Sequence, residues 1–178
     1  MNIPEPEIID PASVPSLKWG IIGPGGIAEV FVSACQKHTA QSFHAVASRT
    51  PGRGAEFAKK FQIPKVHDSY ETLVADDEIE AVYISSWQSE HYEHAMLALN
   101  AGKHVLVEKP ITVLPEHAKE IFALAKEKGL LAMEAMWTRY LPQSTIIRKL
   151  LAFGELGKPQ LFAANFSVDN RHIERLWQ

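Results

Sequence analysis

Residues 17–29 read LKWGIIGPGGIAE. An apolar run (Trp19, Gly20, Ile21, Ile22) leads into Gly23-Pro24-Gly25-Gly26 and on into helix-compatible Ile27, Ala28, Glu29, Val30 and Phe31. That order predicts a buried strand, a tight glycine turn and a helix. Gly23, Gly25 and Ala28 fill a G-x-G-x-x-A spacing in which each small residue has a task. Gly23 permits the turn out of the strand, Gly25 has no side chain to hold a pyrophosphate off the backbone, and Ala28 lets the helix lie close to the sheet. The free N–H groups at the helix start, on Gly26, Ile27 and Ala28, then face the phosphates. The stretch points to dinucleotide binding. The bland alternative is a glycine turn that binds nothing.

Outward from this turn, strands and helices alternate. A helix over 26–37 is followed by an apolar strand over 43–48. Thr50-Pro51-Gly52 turns the chain into a helix carrying Ala55, Phe57, Ala58 and Phe61, which Pro64 ends. A short strand at 65–67 precedes a small helix carrying Tyr70, Leu73 and Val74. The charge-free segment 81–85 is the fourth strand. A helix from Ser89 sets Tyr92, Ala95, Met96 and Leu99 on one stripe, and Asn100-Ala101-Gly102 closes it. The fifth strand, 104–107, ends at Glu108-Lys109-Pro110; a helix from Pro115 to Gly129 leads to the sixth, over 130–136. Strands apolar on both faces call for a parallel sheet covered on both sides. The fold class is α/β, a doubly wound Rossmann sheet of about six strands, with ligand expected at the carboxyl edge.

The pattern changes past Trp137. A helix carries Ile146, Ile147, Leu150 and Leu151, Gly154 and Gly157 break it, and 161–166 reads as a strand. The expected division is an irregular acidic, proline-punctuated leader over 1–15, a nucleotide-binding domain over 16–137, and the start of a second α+β domain over 138–178, cut off before that domain is complete.

Composition excludes several classes. A formal net charge of −3, with no basic tract, gives no sign of nucleic acid. The single cysteine, Cys35, rules out a disulfide framework and fits a cytoplasmic compartment. The leader has no secretory pattern, and no apolar run is long enough for a membrane span. There is no G-x-S-x-G elbow to supply a hydrolase nucleophile.

Three places carry chemistry. After the second strand stand Ser48-Arg49-Thr50 with no acid. An NAD site places an acid there for the ribose 2′-hydroxyl, whereas the guanidinium of Arg49 and the two hydroxyls suit a 2′-phosphate, with Arg53 as a second contact. NADP is favoured over NAD; the alternative is a solvated surface arginine. Lys109 leaves the fifth strand in extended geometry before Pro110, where it can hold a substrate hydroxyl and share its proton. Its alternative is a surface lysine in a turn. His91 and His94 share a helix face, but no third ligand has metal-site spacing, so no metal is expected. Cys35 reads as helix packing.

G-x-G-x-x-A after the first strand, Glu108-Lys109-Pro110 after the fifth, and MEAMWTRY (133–140) after the sixth together resemble the glucose-fructose oxidoreductase/inositol dehydrogenase/MocA family. Ile63-Pro64-Lys65 and Ser69-Tyr70-Glu71 make the chain similar to its dihydrodiol dehydrogenase and NADP-dependent D-xylose 1-dehydrogenase branch. The resemblance implies an oxidoreductase of two domains acting on a sugar or vicinal diol, with Lys109 catalytic and Trp137 and Arg139 near substrate. It further implies cofactor contacts at Glu108, at Lys109 and at His91 (the last facing the cofactor or capping its helix) and a homo-oligomer assembled through the second domain. The family's later G-G segment, with its aspartate and following histidine or tyrosine, has no counterpart before Gln178. A competing reading is a non-catalytic NADP(H)-binding module or sensor.

Overall fold

The computed structural model describes residues 3–165 and 167. Six strands form one sheet: β1 (Lys18–Ile22), β2 (Ser42–Ala47), β3 (Lys65–His67), β4 (Ala81–Ile84), β5 (His104–Val107) and β6 (Ala132–Glu134). Their order is β3-β2-β1-β4-β5-β6, and every neighbouring pair is parallel. The crossovers carry α1 (Gly26–His38), α2 (Arg53–Phe61), α3 (Tyr70–Val74), α4 (His91–Asn100) and α5 (Pro115–Glu127). This is the doubly wound arrangement, with the order reversing between β1 and β4.

Alternation along the strands divides the core. Ile22, Val82, Ile84, Val105 and Val107 pack with Leu73, Leu99 and Ile121 from α3, α4 and α5. Ile21, Val46 and Tyr83 point the other way, onto Ala28 and Val32 of α1 and Phe57 and Phe61 of α2. Each large apolar side chain buried this way contributes about 1.5–3 kcal/mol. Ala28 is fully buried, as the close helix–sheet approach requires. Within β1, Gly20 leaves room for α3: a Cβ there would lie 2.8 Å from Leu73 Cδ2.

The sixth strand is shorter than the expected 130–136. Its register pairs Ala132, Met133 and Glu134 with Val105, Leu106 and Val107. β5 ends at Val107, so the edge strand has no partner to continue against.

Two compact units are distinguished, Ile8–Tyr140 and a second that joins the residues through Glu7 with those from Leu141 onward. Within the second, α6 (Pro142–Ala152) carries the expected apolar positions. Glu7 N–H donates to Thr145 Oγ1 at 3.0 Å and Lys149 Nζ to the Glu5 carbonyl at 2.9 Å. The described leader divides: Glu5 and Glu7 bond to α6, while Asp10 caps a 3₁₀ turn at Pro11–Ser13 by accepting from Ala12 N–H. The 3₁₀ turn Trp137–Tyr140 stays with the sheet, where Tyr140 Oη donates to Met133 Sδ at 3.2 Å.

The strand expected over 161–166 is not formed in its described part. Residues 161–165 lie outside any strand, with Leu161 and Phe162 more than four-fifths exposed; Phe166 lies outside the described residues. A strand needs a neighbour for its ladder, and 161–165 has none among the described residues. No helix of the described residues is long and apolar enough to cross a membrane.

Candidate nucleotide site at the carboxyl edge

β4 is the strand on which the site is built. At its end, Ser85 N–H donates to the Ile22 carbonyl at 2.9 Å and Ser85 Oγ to the Gly23 carbonyl at 2.9 Å, tying down the turn after β1. Gly23 has φ +80°, and a Cβ there would stand 2.6 Å from the Ser86 backbone nitrogen. Only glycine fits, for conformation and for space. Gly25 and Gly26 behave differently. A Cβ on Gly26 would meet nothing within 4 Å, and one on Gly25 only the Gly23 carbonyl at 3.9 Å. These two glycines face open space at the start of α1, whose first N–H groups have no carbonyl a turn earlier to bond. A backbone cradle of this kind fits a diphosphate held by the positive end of a helix. Ile27, half-exposed, borders it.

The turn after β5 hangs on the same strand. Glu108 N–H donates to the Ile84 carbonyl at 2.9 Å, and Tyr83 Oη donates to Glu108 Oε1 at 2.6 Å. Glu108 Oε2 accepts from Lys109 N–H at 3.1 Å. Burial, followed by the Glu108 carboxylate, pushes the Tyr83 phenol well above its ordinary range, so it stays a donor. Both Glu108 oxygens thus accept hydrogen bonds within the protein, which anchors this turn. The Lys109 side chain is exposed at the edge, across a cis peptide to Pro110. The register Ile22↔Ile84↔Val107 sets the glycine turn and Lys109 two strand spacings apart, roughly 10 Å.

His91 is 2% exposed, with Nδ1 2.9 Å from the Pro110 carbonyl and Nε2 3.1 Å from the Ser86 carbonyl. Its ring neither faces outward to a cofactor nor caps α4, whose N-cap is Glu90. It clamps the turn after β4 to the turn after β5. His94 Nδ1 lies 2.8 Å from Ser86 Oγ, and burial shifts this imidazole below its ordinary pKa. The two histidines make separate contacts, and no cluster of metal-ligating side chains occurs among the described residues. Burial pushes the Cys35 thiol up to about 11, as a packing role requires.

After β2, Ser48 Oγ accepts from Thr50 N–H at 3.1 Å, a local turn. Arg49, 60% exposed at its side chain, is ion-paired with Glu90 from the far side of β1. Trp137 is 62% exposed, and Arg139 shares its 3₁₀ turn.

Sequence reasoning missed Tyr83, Ser85, Ser86 and Glu90. Ser85-Ser86 directly after a charge-free strand was the available signal for the first anchor. Glu90 escaped because an acid was sought only after the second strand.

Residues 17–136 match the family described as "Oxidoreductase family, NAD-binding Rossmann fold", GFO_IDH_MocA. The chain belongs to this family. It is 38% identical over 162 residues to the trans-1,2-dihydrobenzene-1,2-diol dehydrogenase of Bos taurus, covering 90% of this chain and 48% of that protein. It is 40% identical over 166 residues to the D-xylose 1-dehydrogenase (NADP(+)) of Hypocrea jecorina, covering 86% of this chain and 42% of that one. Among solved structures, a variant 3-ketoreductase from Actinomadura kijaniata in complex with TDP-benzene and NADP superposes with a TM-score of 0.71 at 34% identity, over 79% of this chain and 43% of its own. The chain thus spans about half the length of the curated relatives it matches. The glycine turn and the turn after β5 both lie within the matched residues.

Proposed function

We propose that this chain carries the NADP(H) site and the catalytic lysine of a dehydrogenase that oxidises a CH–OH group of a sugar or vicinal diol. The observation that carries the reading is the anchoring of two turns to one strand: the open glycine cradle and the Lys109 turn are fixed to β4, about 10 Å apart. Names of the relatives support the substrate class and NADP.

The residues divide the work. Backbone N–H groups of Gly26, Ile27 and Ala28 hold the diphosphate, and Arg49, Ser48 and Thr50 meet the 2′-phosphate. Bound NADP+ supplies the hydride acceptor. With cofactor bound, Lys109 in its amine form would accept a hydrogen bond from the substrate hydroxyl, orient the carbinol, and take up the hydroxyl proton as the carbonyl forms. Trp137 and Arg139 border the substrate.

The test is to titrate the purified 178-residue chain with NADPH and, in parallel, to assay NADP+ reduction with D-xylose and trans-dihydrodiols. The expected outcome is saturable binding without turnover, because positioning of a bound alcohol from its far side accounts for up to roughly 7–11 kcal/mol of barrier and few groups here supply it. Failure to bind NADPH refutes the nucleotide reading. Turnover at the rate of a full-length relative refutes the assignment of the pocket.

A further inference from the structure

The Arg49–Glu90 ion pair crosses the nucleotide edge. Arg49 follows β2, Glu90 follows β4, and β1 with its glycine turn lies between those strands. The Glu90 side chain is 19% exposed, and its Oε2 is buried with no hydrogen-bond partner among the described residues. A carboxylate with one desolvated, unpaired oxygen depends on its remaining partner for compensation. Here that partner is Arg49 Nη2. The guanidinium expected to receive a 2′-phosphate is therefore already neutralised.

We propose that Glu90 is a cofactor-specificity residue, setting how strongly the site prefers NADP over NAD by competing with the 2′-phosphate for Arg49. This rests on the reading of Arg49 as the phosphate contact. A phosphate monoester carries about −1.5 to −2 charges at neutral pH. It approaches a pair of zero net charge in the native chain, and a lone guanidinium once the Glu90 charge is gone. Arg49 has five N–H donors, so Glu90 and a phosphate can share it, but the carboxylate then sits within a few ångströms of the phosphate and repels it. NAD, with a 2′-hydroxyl, gains nothing from removal of the charge.

The experiment compares dissociation constants for NADP+ and NAD+ by calorimetry in the native chain and in Glu90→Gln, Glu90→Asp, Glu90→Ala and Arg49→Ala. Glu90→Gln keeps an acceptor for Arg49 and removes the charge. It is expected to tighten NADP+ about three- to tenfold, the range for one charge at such a separation with screening by salt, and to leave NAD+ within twofold. Glu90→Asp keeps the charge and should leave the NADP+/NAD+ ratio within twofold. An unchanged or lower preference for NADP+ in Glu90→Gln, with Arg49→Ala still abolishing the preference, overturns the role of Glu90 alone. A ratio insensitive to Arg49→Ala overturns the underlying reading instead. Should Glu90→Gln and Glu90→Ala both lose NAD+ binding, Glu90 is a fold residue and the proposal fails.

Discussion

The turn after β1 and the turn after β5 leave the same edge of the sheet, flank the same strand, and are held in opposite ways. The first is built from missing side chains. Gly23 is pressed against the Ser86 backbone, while Gly25 and Gly26 leave a space that main-chain N–H groups line. The second is built from charged and polar side chains: Tyr83 grips Glu108, and Lys109 is left exposed at the edge. In the proposed function, the difference teaches that one turn binds through main chain, and the other presents the Lys109 side chain from a clamped base. The ring of His91 joins them, contacting Ser86 and Pro110.

The largest break in this comparison is at Gly23. Gly23→Ala places a methyl group against backbone at positive φ, costing on the order of 3 kcal/mol of stability. NADPH binding should be lost, as read by thermal melting and titration side by side. Retained affinity would mean that the turn is pliable and the contrast between the two turns is false.

Next comes Arg49, proposed above to meet the 2′-phosphate. Arg49→Ala removes a charge-assisted contact to the 2′-phosphate alone and should weaken NADP+ by about 1.5–3 kcal/mol, with NAD+ little changed. Equal weakening of both cofactors would assign Arg49 to the loop or to adenine.

Tyr83→Phe sharpens the second turn. The variant leaves the half-buried Glu108 carboxylate short of one donor, at a cost of about 1–2 kcal/mol in chemical denaturation. A neutral result would show that the Lys109 turn is held by the Glu108 N–H bond to β4 and by His91, without need of the Tyr83 hydroxyl.

The smallest effect serves as a control away from the carboxyl edge. Asp76 is held at about 2 by Lys65, then by the Glu78 N–H, with His67 also contributing. Its folded pKa is depressed, so the stabilisation is complete above about pH 5 and is lost progressively as pH falls to about 1. Asp76→Asn should cost about 1 kcal/mol at neutral pH, a small part of that near pH 2, and leave NADPH affinity unchanged. Urea melts at both pH values check it, and an equal deficit at both would remove the charge from the explanation.

Much of this was legible in the chain. Strands at 65–67 and 104–107 have the expected bounds, because turn residues or a proline flank each segment. The glycine spacing located the cradle, since its constraint is local and steric. Partnerships were not legible. Glu108 and His91 read as cofactor contacts, and no local pattern showed that each also ties neighbouring strand and turns together. Tyr83 and Glu108, 25 residues apart, meet only because β4 and β5 pair in register. Glu90 reaches Arg49 only because β1 lies between β2 and β4. Such contacts come from strand order, which no local pattern spells out.

The central claim is that this chain holds NADP(H) on a backbone cradle beside β4. Isothermal titration of the 178-residue chain with NADPH and NADH tests it most directly. The account predicts one saturable site, tighter for NADPH than for NADH, that disappears in Gly23→Ala. Absence of binding by either nucleotide, or binding that survives Gly23→Ala unchanged, would contradict it.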